Sequence, residues 1–228
     1  MHDDRGSRRR EALALLGAAA LFSSATARAA VACVARPQQT EGPFFVDERL
    51  TRSDVRSDPA TGRVSPGAPL ELALAVSMLA NGTCTPVRGA VVEIWQCDAT
   101  GRYSDVRDSA GSTAGQRFLR GNQVSDADGL VRFVTIVPGW YEGRAVHIHF
   151  AIDTLDGRTR TRRFTSQLYF DEAFLDRVHA QAPYAARGPR RLRNAGDYLY
   201  RAGGSQLVLD VDERGERLAA RFDVGLTA

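Results

Sequence analysis

Four histidines occur in 228 residues, and two of them, His147 and His149, stand one residue apart in the stretch from Tyr141 to Phe150. On an extended strand alternate residues share a face, so both imidazoles project together while Val146, Ile148 and Phe150 face the other way. Two adjacent imidazoles can chelate one metal ion, or they can form the polar face of a half-buried strand. Nearby phenols add a discriminating chemistry. Pro138-Gly139-Trp140-Tyr141 is a turn that delivers one tyrosine six residues before His147, and Asp98-Ala99-Thr100-Gly101-Arg102-Tyr103 delivers another just past the run carrying Trp95. A free phenol ionises near ~10, so only a strongly Lewis-acidic ion would hold it deprotonated at neutral pH. Two imidazoles with two phenolates therefore favour Fe(III) over Zn(II). Adding a hydroxide would make the centre formally neutral, which eases its burial.

Such a set needs a rigid support, and strand signals dominate the chain. Apolar residues alternate from Leu70 to Leu79, and Ala90–Cys97, Leu130–Val137, Ala145–Asp153 and Arg163–Phe170 read as further strands. Gln206–Asp212 and Arg217–Val224 flank Asp212-Glu213-Arg214-Gly215-Glu216-Arg217 and read as a hairpin. One helix is expected from Glu172 to about Gln181, capped by Asp171, with Phe174 and Val178 on one face and His179 solvated. Short strands with almost no helix predict an all-β fold, an antiparallel β-sandwich with one short helix and long irregular connections. Residues 69–228 form this core. Residues 30–68 are an irregular segment that carries Thr40-Glu41-Gly42-Pro43-Phe44-Phe45.

Residues 1–29 read as an export signal rather than as fold. Arg8-Arg9-Arg10 precedes an apolar run from Ala12 to Phe22, and Ala27-Arg28-Ala29 resembles a signal-peptidase site. Eleven apolar residues are too few for a bilayer span, which needs ~20, so no integral membrane segment is expected after cleavage. Arg9-Arg10 resembles a twin-arginine signal, a route that exports folded proteins to the periplasm or the medium. The whole chain carries +3, and its 30 basic residues are all arginine. The leader holds five of them against three acidic residues, so the mature chain is near +1, with no basic stripe for nucleic acid. Cys33, Cys84 and Cys97 allow one bridge and one free thiol in an oxidising compartment, and Cys84–Cys97 is the preferred pair.

The stretches VVEIWQCDATGRYSD, FLRGNQVSDADGLVRFVTIVPGWYEGRAVHIHF and TSQLYF, in that order, resemble the intradiol ring-cleavage dioxygenases, the group that includes protocatechuate and catechol dioxygenases. The resemblance runs from Thr40 to about Phe170 and is strongest to an exported, single-domain branch. It implies one Fe(III) per chain, held by Tyr103, Tyr141, His147 and His149. It also implies that Arg144 stabilises charge on a bound catecholate, that Gln167 lines the same pocket, and that Tyr141 leaves the metal to act as a base. Gly42, Pro43 and Phe44 match a segment at the mouth of the substrate cavity. The expected reaction cleaves a small aromatic diol with O2 between its two hydroxyl-bearing carbons, giving a cis,cis-muconate. The chain lacks the long helical N-terminal region through which the catechol-cleaving branch dimerises.

Two alternatives belong to other classes. A non-catalytic β-sandwich binding module would need no tightly held iron and no complete donor set. A zinc hydrolase using His147 and His149 would need a carboxylate, for which Glu142 is the nearby candidate.

Overall fold

The fold was described from a computed structural model, covering residues 34–108, 111–156, 159–214 and 217–227. The expected export signal and Cys33 lie outside the described residues. In chain order, β1 (Pro69–Ala80) turns back into β2 (Thr83–Pro86), followed by β3 (Val91–Trp95), the two-residue β4 (Arg107–Asp108) and β5 (Gly111–Ser112), β6 (Arg120–Val124), β7 (Leu130–Ile136), β8 (His147–Asp156) and β9 (Thr159–Phe170). Helix α1 (Glu172–His179) and one-turn α2 (Tyr198–Arg201) precede β10 (Val208–Leu209), β11 (Val211–Asp212) and β12 (Leu218–Thr227). Asn81 and Gly82 both have positive φ at the β1–β2 turn, the conformation that Asn-Gly favours in a two-residue hairpin. Among the described residues, no helix is long and apolar enough to cross a membrane.

Two five-stranded sheets result. One runs β11–β12–β1–β2 with β7 also paired to β1; the other runs β10–β9–β8–β3–β6. The chain is all-β as expected, and most pairings are antiparallel. However, β12 joins β1 in parallel over Leu70–Leu79, and β10 joins β9 in parallel. Expected strand Gln206–Asp212 is broken into a 3-10 turn, β10 and β11, and only Val211 and Asp212 pair antiparallel with β12. The expected helix is present. Asp171 caps it, accepting from the Phe174 amide at 3.0 Å.

The sheets pack through alternate residues. Leu70, Leu72, Leu74 and Val76 of β1 meet Val92 and Ile94 of β3 and Ile148, Phe150 and Ile152 of β8, all at most 1% exposed. Phe150 contacts Phe222 of β12 edge-on, with 6.4 Å between ring centroids. Each such buried side chain contributes ~1.5–3 kcal/mol. The inward residues of β8 therefore fix its register, and the histidines are left on the outer face of the second sheet.

That outer face is covered by the N-terminal segment. Its backbone bonds to β9 (Gln39 N to Thr165 O, 2.9 Å), to β6 (Arg52 N to Asn122 O, 3.0 Å) and to β7 (Val55 N to Val134 O, 3.0 Å). Arg163 of β9 binds Glu41 at 2.6 Å and lies over the Phe45 ring. A second, smaller core of Trp95, Cys97, Tyr103 and Ala151, with Phe44, Phe45, Val106 and Tyr141 against it, fills the space beneath.

The preferred disulfide is not made. Cys84 is disulfide-bonded, but Cys97 is a free buried thiol in this second core, its Sγ 3.4 Å from the Gly139 carbonyl. Strand β3 ends at Trp95 and its inner core claims Cys97, while Cys84 sits on β2 at the rim of the other sheet. His179 is also corrected. It lies one helical turn after buried Leu175 and so faces inward, its ring stacked on Tyr184 and its Nε2 2.9 Å from the Pro138 carbonyl.

Candidate metal centre and substrate cavity

Sheet pairing aligns a transverse row of side chains on the outer face. Arg120 of β6 stands opposite Trp95 of β3, Trp95 opposite His149 of β8, and His149 opposite Gln167 of β9. His147 stands opposite Tyr169 in the next row. Trp95 stacks flat on the His149 imidazole, with centroids 4.9 Å apart and planes 4° apart. The tryptophan thus does more than fill space: it fixes the ring plane of a candidate ligand.

The phenols arrive on two interlocked loops. Asp98 Oδ1 accepts from the Thr100 amide, the Thr100 hydroxyl and the Arg102 amide, which closes the loop before Tyr103. Gly101 has φ +81, and a Cβ there would lie 2.2 Å from the Trp140 carbonyl oxygen. A Cβ on Gly139 would lie 2.4 Å from the Ala99 carbonyl. Only glycines allow these loops to approach closely enough to bring Tyr103 and Tyr141 together.

All four predicted donors converge. His147 Nε2 is 2.9 Å from His149 Nε2, 3.3 Å from Tyr141 Oη and 3.4 Å from Tyr103 Oη. His147 Nδ1 lies 2.6 Å from the Ala145 carbonyl, which assigns the ring proton to Nδ1 and leaves a bare lone pair on Nε2. Burial, and then the charge of Arg144, push the His147 imidazolium down to about 3, and burial and His147 push His149 well below the usual range. Both rings are neutral, the form that ligates. Burial drives both phenols above their usual range. They would stay protonated without a strong positive charge among them.

This donor set fits a compact cation. Donors held about 2.0–2.1 Å from one ion at right angles lie about 3 Å apart, close to the separations found. Two phenols select a hard, highly charged ion. Among the described residues no group of three or more His, Cys, Asp and Glu could hold a metal. Glu142 is exposed and pairs with Arg191 at 3.4 Å, so it supplies no third ligand to a zinc site.

A cavity of about 760 Å³ opens beside the phenols. Gly42, Pro43 and Phe44 line it, as do Tyr141 and Arg144, whereas Tyr103 is buried behind them. Phe44 stacks on Tyr103 at 4.5 Å and meets Tyr141 edge-on at 5.9 Å. A Cβ on Gly42 (φ +72) would lie 3.3 Å from His149 Cε1. Gln167 is fully buried and sits behind Arg144. Its Oε1 accepts from Arg144 Nη2 at 2.5 Å, and its Nε2 donates to the Thr40 carbonyl at 3.2 Å.

Three site residues, Arg187, Asp197 and Tyr198, lie beyond the stretch that resembles the family. Asp197, fully buried, accepts from Arg144 Nε at 2.9 Å and from the Ala145 amide at 2.8 Å. Burial opposes its charge, but the Ala145 amide and Arg144 outweigh this and hold the carboxyl below its usual range. Tyr169 Oη lies 3.3 Å from Arg144 Nη2, and Arg102, Arg187 and Tyr198 also line the cavity. Asp197 also caps α2, accepting from the Leu199 and Tyr200 amides. An Asp ahead of Tyr-Leu-Tyr is a readable cap signal, but nothing in it points to Arg144.

A family model described as Dioxygenase matches residues 40–188. Over 152 residues the chain is 35% identical to the protocatechuate 3,4-dioxygenase beta chain of Burkholderia cepacia, covering 62% of this chain and 58% of that protein. It is 26% identical over 156 residues to catechol 1,2-dioxygenase 1 of Acinetobacter lwoffii, covering 56% of this chain and 45% of that protein. The chain thus spans about half the length of these curated relatives. Among solved structures, an intradiol ring-cleavage dioxygenase from Tetranychus urticae superposes with a TM-score of 0.73 at 30% identity, covering 86% of this chain and 95% of that one. With the model match over most of the chain and this fold in common, the protein belongs to the intradiol ring-cleavage dioxygenase family.

Proposed function

We propose that the protein is a ferric intradiol dioxygenase. It cleaves a catechol with O2 between the hydroxyl-bearing carbons, and both oxygen atoms of O2 end in the cis,cis-muconate product. The observation that carries this reading is the convergence of two neutral imidazoles and two phenols on His147 Nε2, beside an open cavity. Tyr103, Tyr141, His147 and His149 would hold one Fe(III). When bound, ferric iron supplies the Lewis acidity that draws electron density from a catecholate and opens its ring to O2.

The chain's own residues do the rest. Tyr141 stands on the cavity wall, so the phenolate that ferric iron would generate there is the one placed to take a proton from an incoming hydroxyl. The Arg144 guanidinium faces the cavity with its other edge held by Asp197 and Gln167, ready to stabilise negative charge on the ring. Gly42, Pro43 and Phe44 wall the ring and exclude water. The arginine-rich leader supports export, after folding, by the twin-arginine route.

The test is a visible spectrum of the purified protein with and without catechol, alongside an iron assay. A red protein with one iron per chain whose band shifts on catechol addition is the expected result. A colourless protein that takes up no iron after ferric reconstitution would sink this reading in favour of a binding module.

A further inference from the structure

Residues 41–49 cross the outer face of the second sheet with little backbone support. Among the described residues, no backbone hydrogen bond joins them to a strand. The last such bond before them is Gln39 N to Thr165 O at 2.9 Å, and the first after them is Asn122 N to Leu50 O at 2.7 Å. Left-handed backbone marks both ends, with φ +72 at Gly42 and φ +50 at Arg49. Hinge motions are absorbed at a few terminal positions of this kind. The segment is a flap tied at its two ends, and it carries Gly42, Pro43 and Phe44 of the cavity wall.

Side chains hold the flap down, and one cation is shared among them. Arg163 of β9 stands opposite Asp153 of β8, on the same face as the His149–Gln167 pair and two rows along. Its Nε lies 2.6 Å from Glu41 Oε1, its Nη1 3.0 Å from Asp153 Oδ2 and its Nη2 3.9 Å from Glu93 Oε2. The guanidinium also covers the Phe45 ring, 4.7 Å from its centroid. Glu41 and Phe45 belong to the flap, whereas Asp153 and Glu93 belong to the sheet. At the other end of the flap Glu48 reaches Arg117 only at 3.9 Å.

Rings connect this cation to the candidate donors. Phe45 meets Trp95 edge-on at 5.0 Å, and Trp95 is the ring stacked flat on His149. Phe44 stacks on Tyr103 at 4.5 Å. The tie is also one that can be undone. When Glu41 leaves, Arg163 keeps Asp153 and Glu93, so no buried charge is stranded. The Glu41 side chain, already 37% exposed, returns to water.

We propose that Arg163 is a positioning residue: it latches residues 41–49 through Glu41 and Phe45, and so sets the wall against which a substrate ring lies. The effect on turnover rests on the dioxygenase reading of the site. The latch itself does not.

The test compares Arg163→Gln, Arg163→Lys, Glu41→Gln and the double variant of Arg163→Gln with Glu41→Gln against the parent protein. The latch is read by the rate at which trypsin cuts the native chain after Arg49, whose side chain is 86% exposed, with the site mapped by mass spectrometry. That rate follows the population of the open flap. The wall is read by KM and kcat for catechol in the iron-loaded protein. Expected in Arg163→Gln and Glu41→Gln is cleavage about tenfold faster, as the loss of a partly buried ion pair implies. KM should rise by a larger factor than kcat falls, Arg163→Lys should restore part of both, and the double variant should be no worse than Arg163→Gln. Unchanged cleavage, or an unchanged KM, in a folded Arg163→Gln protein overturns the proposal, as do additive effects in the double variant. If Arg163→Gln does not fold, Glu41→Gln alone must speed cleavage and raise KM; no change overturns it. A parent protein that turns over no catechol overturns the dioxygenase reading, while the trypsin rates still decide whether Arg163 holds the flap.

Discussion

Arg144 Nε donates to Asp197 Oδ2 across 2.9 Å, joining a guanidinium on the loop before β8 to a carboxylate 53 residues further on that is fully removed from solvent. The same carboxylate oxygen receives the Ala145 amide, so one group sets both the side chain and the backbone at the entry to the histidine strand.

Asp197→Asn should preserve the cap of α2, since Asn is as good a helix cap as Asp, while removing the charge that aligns Arg144. Turnover of a catechol is expected to fall by on the order of 10²-fold, as when one preorganised stabilising group is lost, with iron content unchanged. Steady-state kinetics and an iron assay check both halves.

Gly42→Ala places a methyl group 3.3 Å from His149 Cε1 at a left-handed backbone position. We expect a loss of about 1–2 kcal/mol in urea unfolding, the usual cost of such strain. KM for catechol should rise, because the segment that walls the cavity must shift.

His179 tests the acid limb of stability. Burial lowers its folded value to about 4 against 6.5 for the free side chain. The unfolded chain therefore binds the proton first, and stability falls as pH drops from about 6.5 towards 4. His179→Gln, which can still donate to the Pro138 carbonyl, should flatten that decline by on the order of 2 kcal/mol after allowance for solvent. Denaturant midpoints at pH 7 and pH 4 measure it.

Cys97 should resist alkylation in the native protein and react only after unfolding, since burial, reinforced by Asp98, pushes its thiol well above the usual range. Peptide mapping should recover Cys84 in a disulfide and no Cys84–Cys97 peptide.

Local chemistry made much of this legible. The alternation around His147 and His149, the loop before Tyr103 and the Asp171 cap each carry their own signal, and each is realised, whereas the turn expected over Pro138-Gly139-Trp140-Tyr141 falls just after it, at Glu142 and Gly143. The elements missed lack such a signal. Strand β6 begins Arg-Gly-Asn with all three residues buried, so no apolar alternation marks it. Strand β12 reads as half of a hairpin because a turn-like stretch from Asp212 to Arg217 precedes it, and Val211 and Asp212 do pair with it, yet most of its partners lie on β1, some 150 residues earlier. Asp197 lies beyond the stretch that resembles the family, and its bond to Arg144 exists only once the chain has closed.

The candidate donors sit beside a core of their own. Trp95, Cys97, Tyr103 and Ala151 pack beneath the N-terminal segment, apart from the cluster that joins the two sheets. Such a division gives the molecule two levels of cooperativity. Amides that tie the segment down, such as those of Gln39 and Arg52, should exchange with solvent deuterium through partial openings, while those in the β1–β12 ladder wait for global unfolding. The segment over the candidate site is therefore expected to open on its own free-energy scale, so that changes made there would retune access without softening the sandwich.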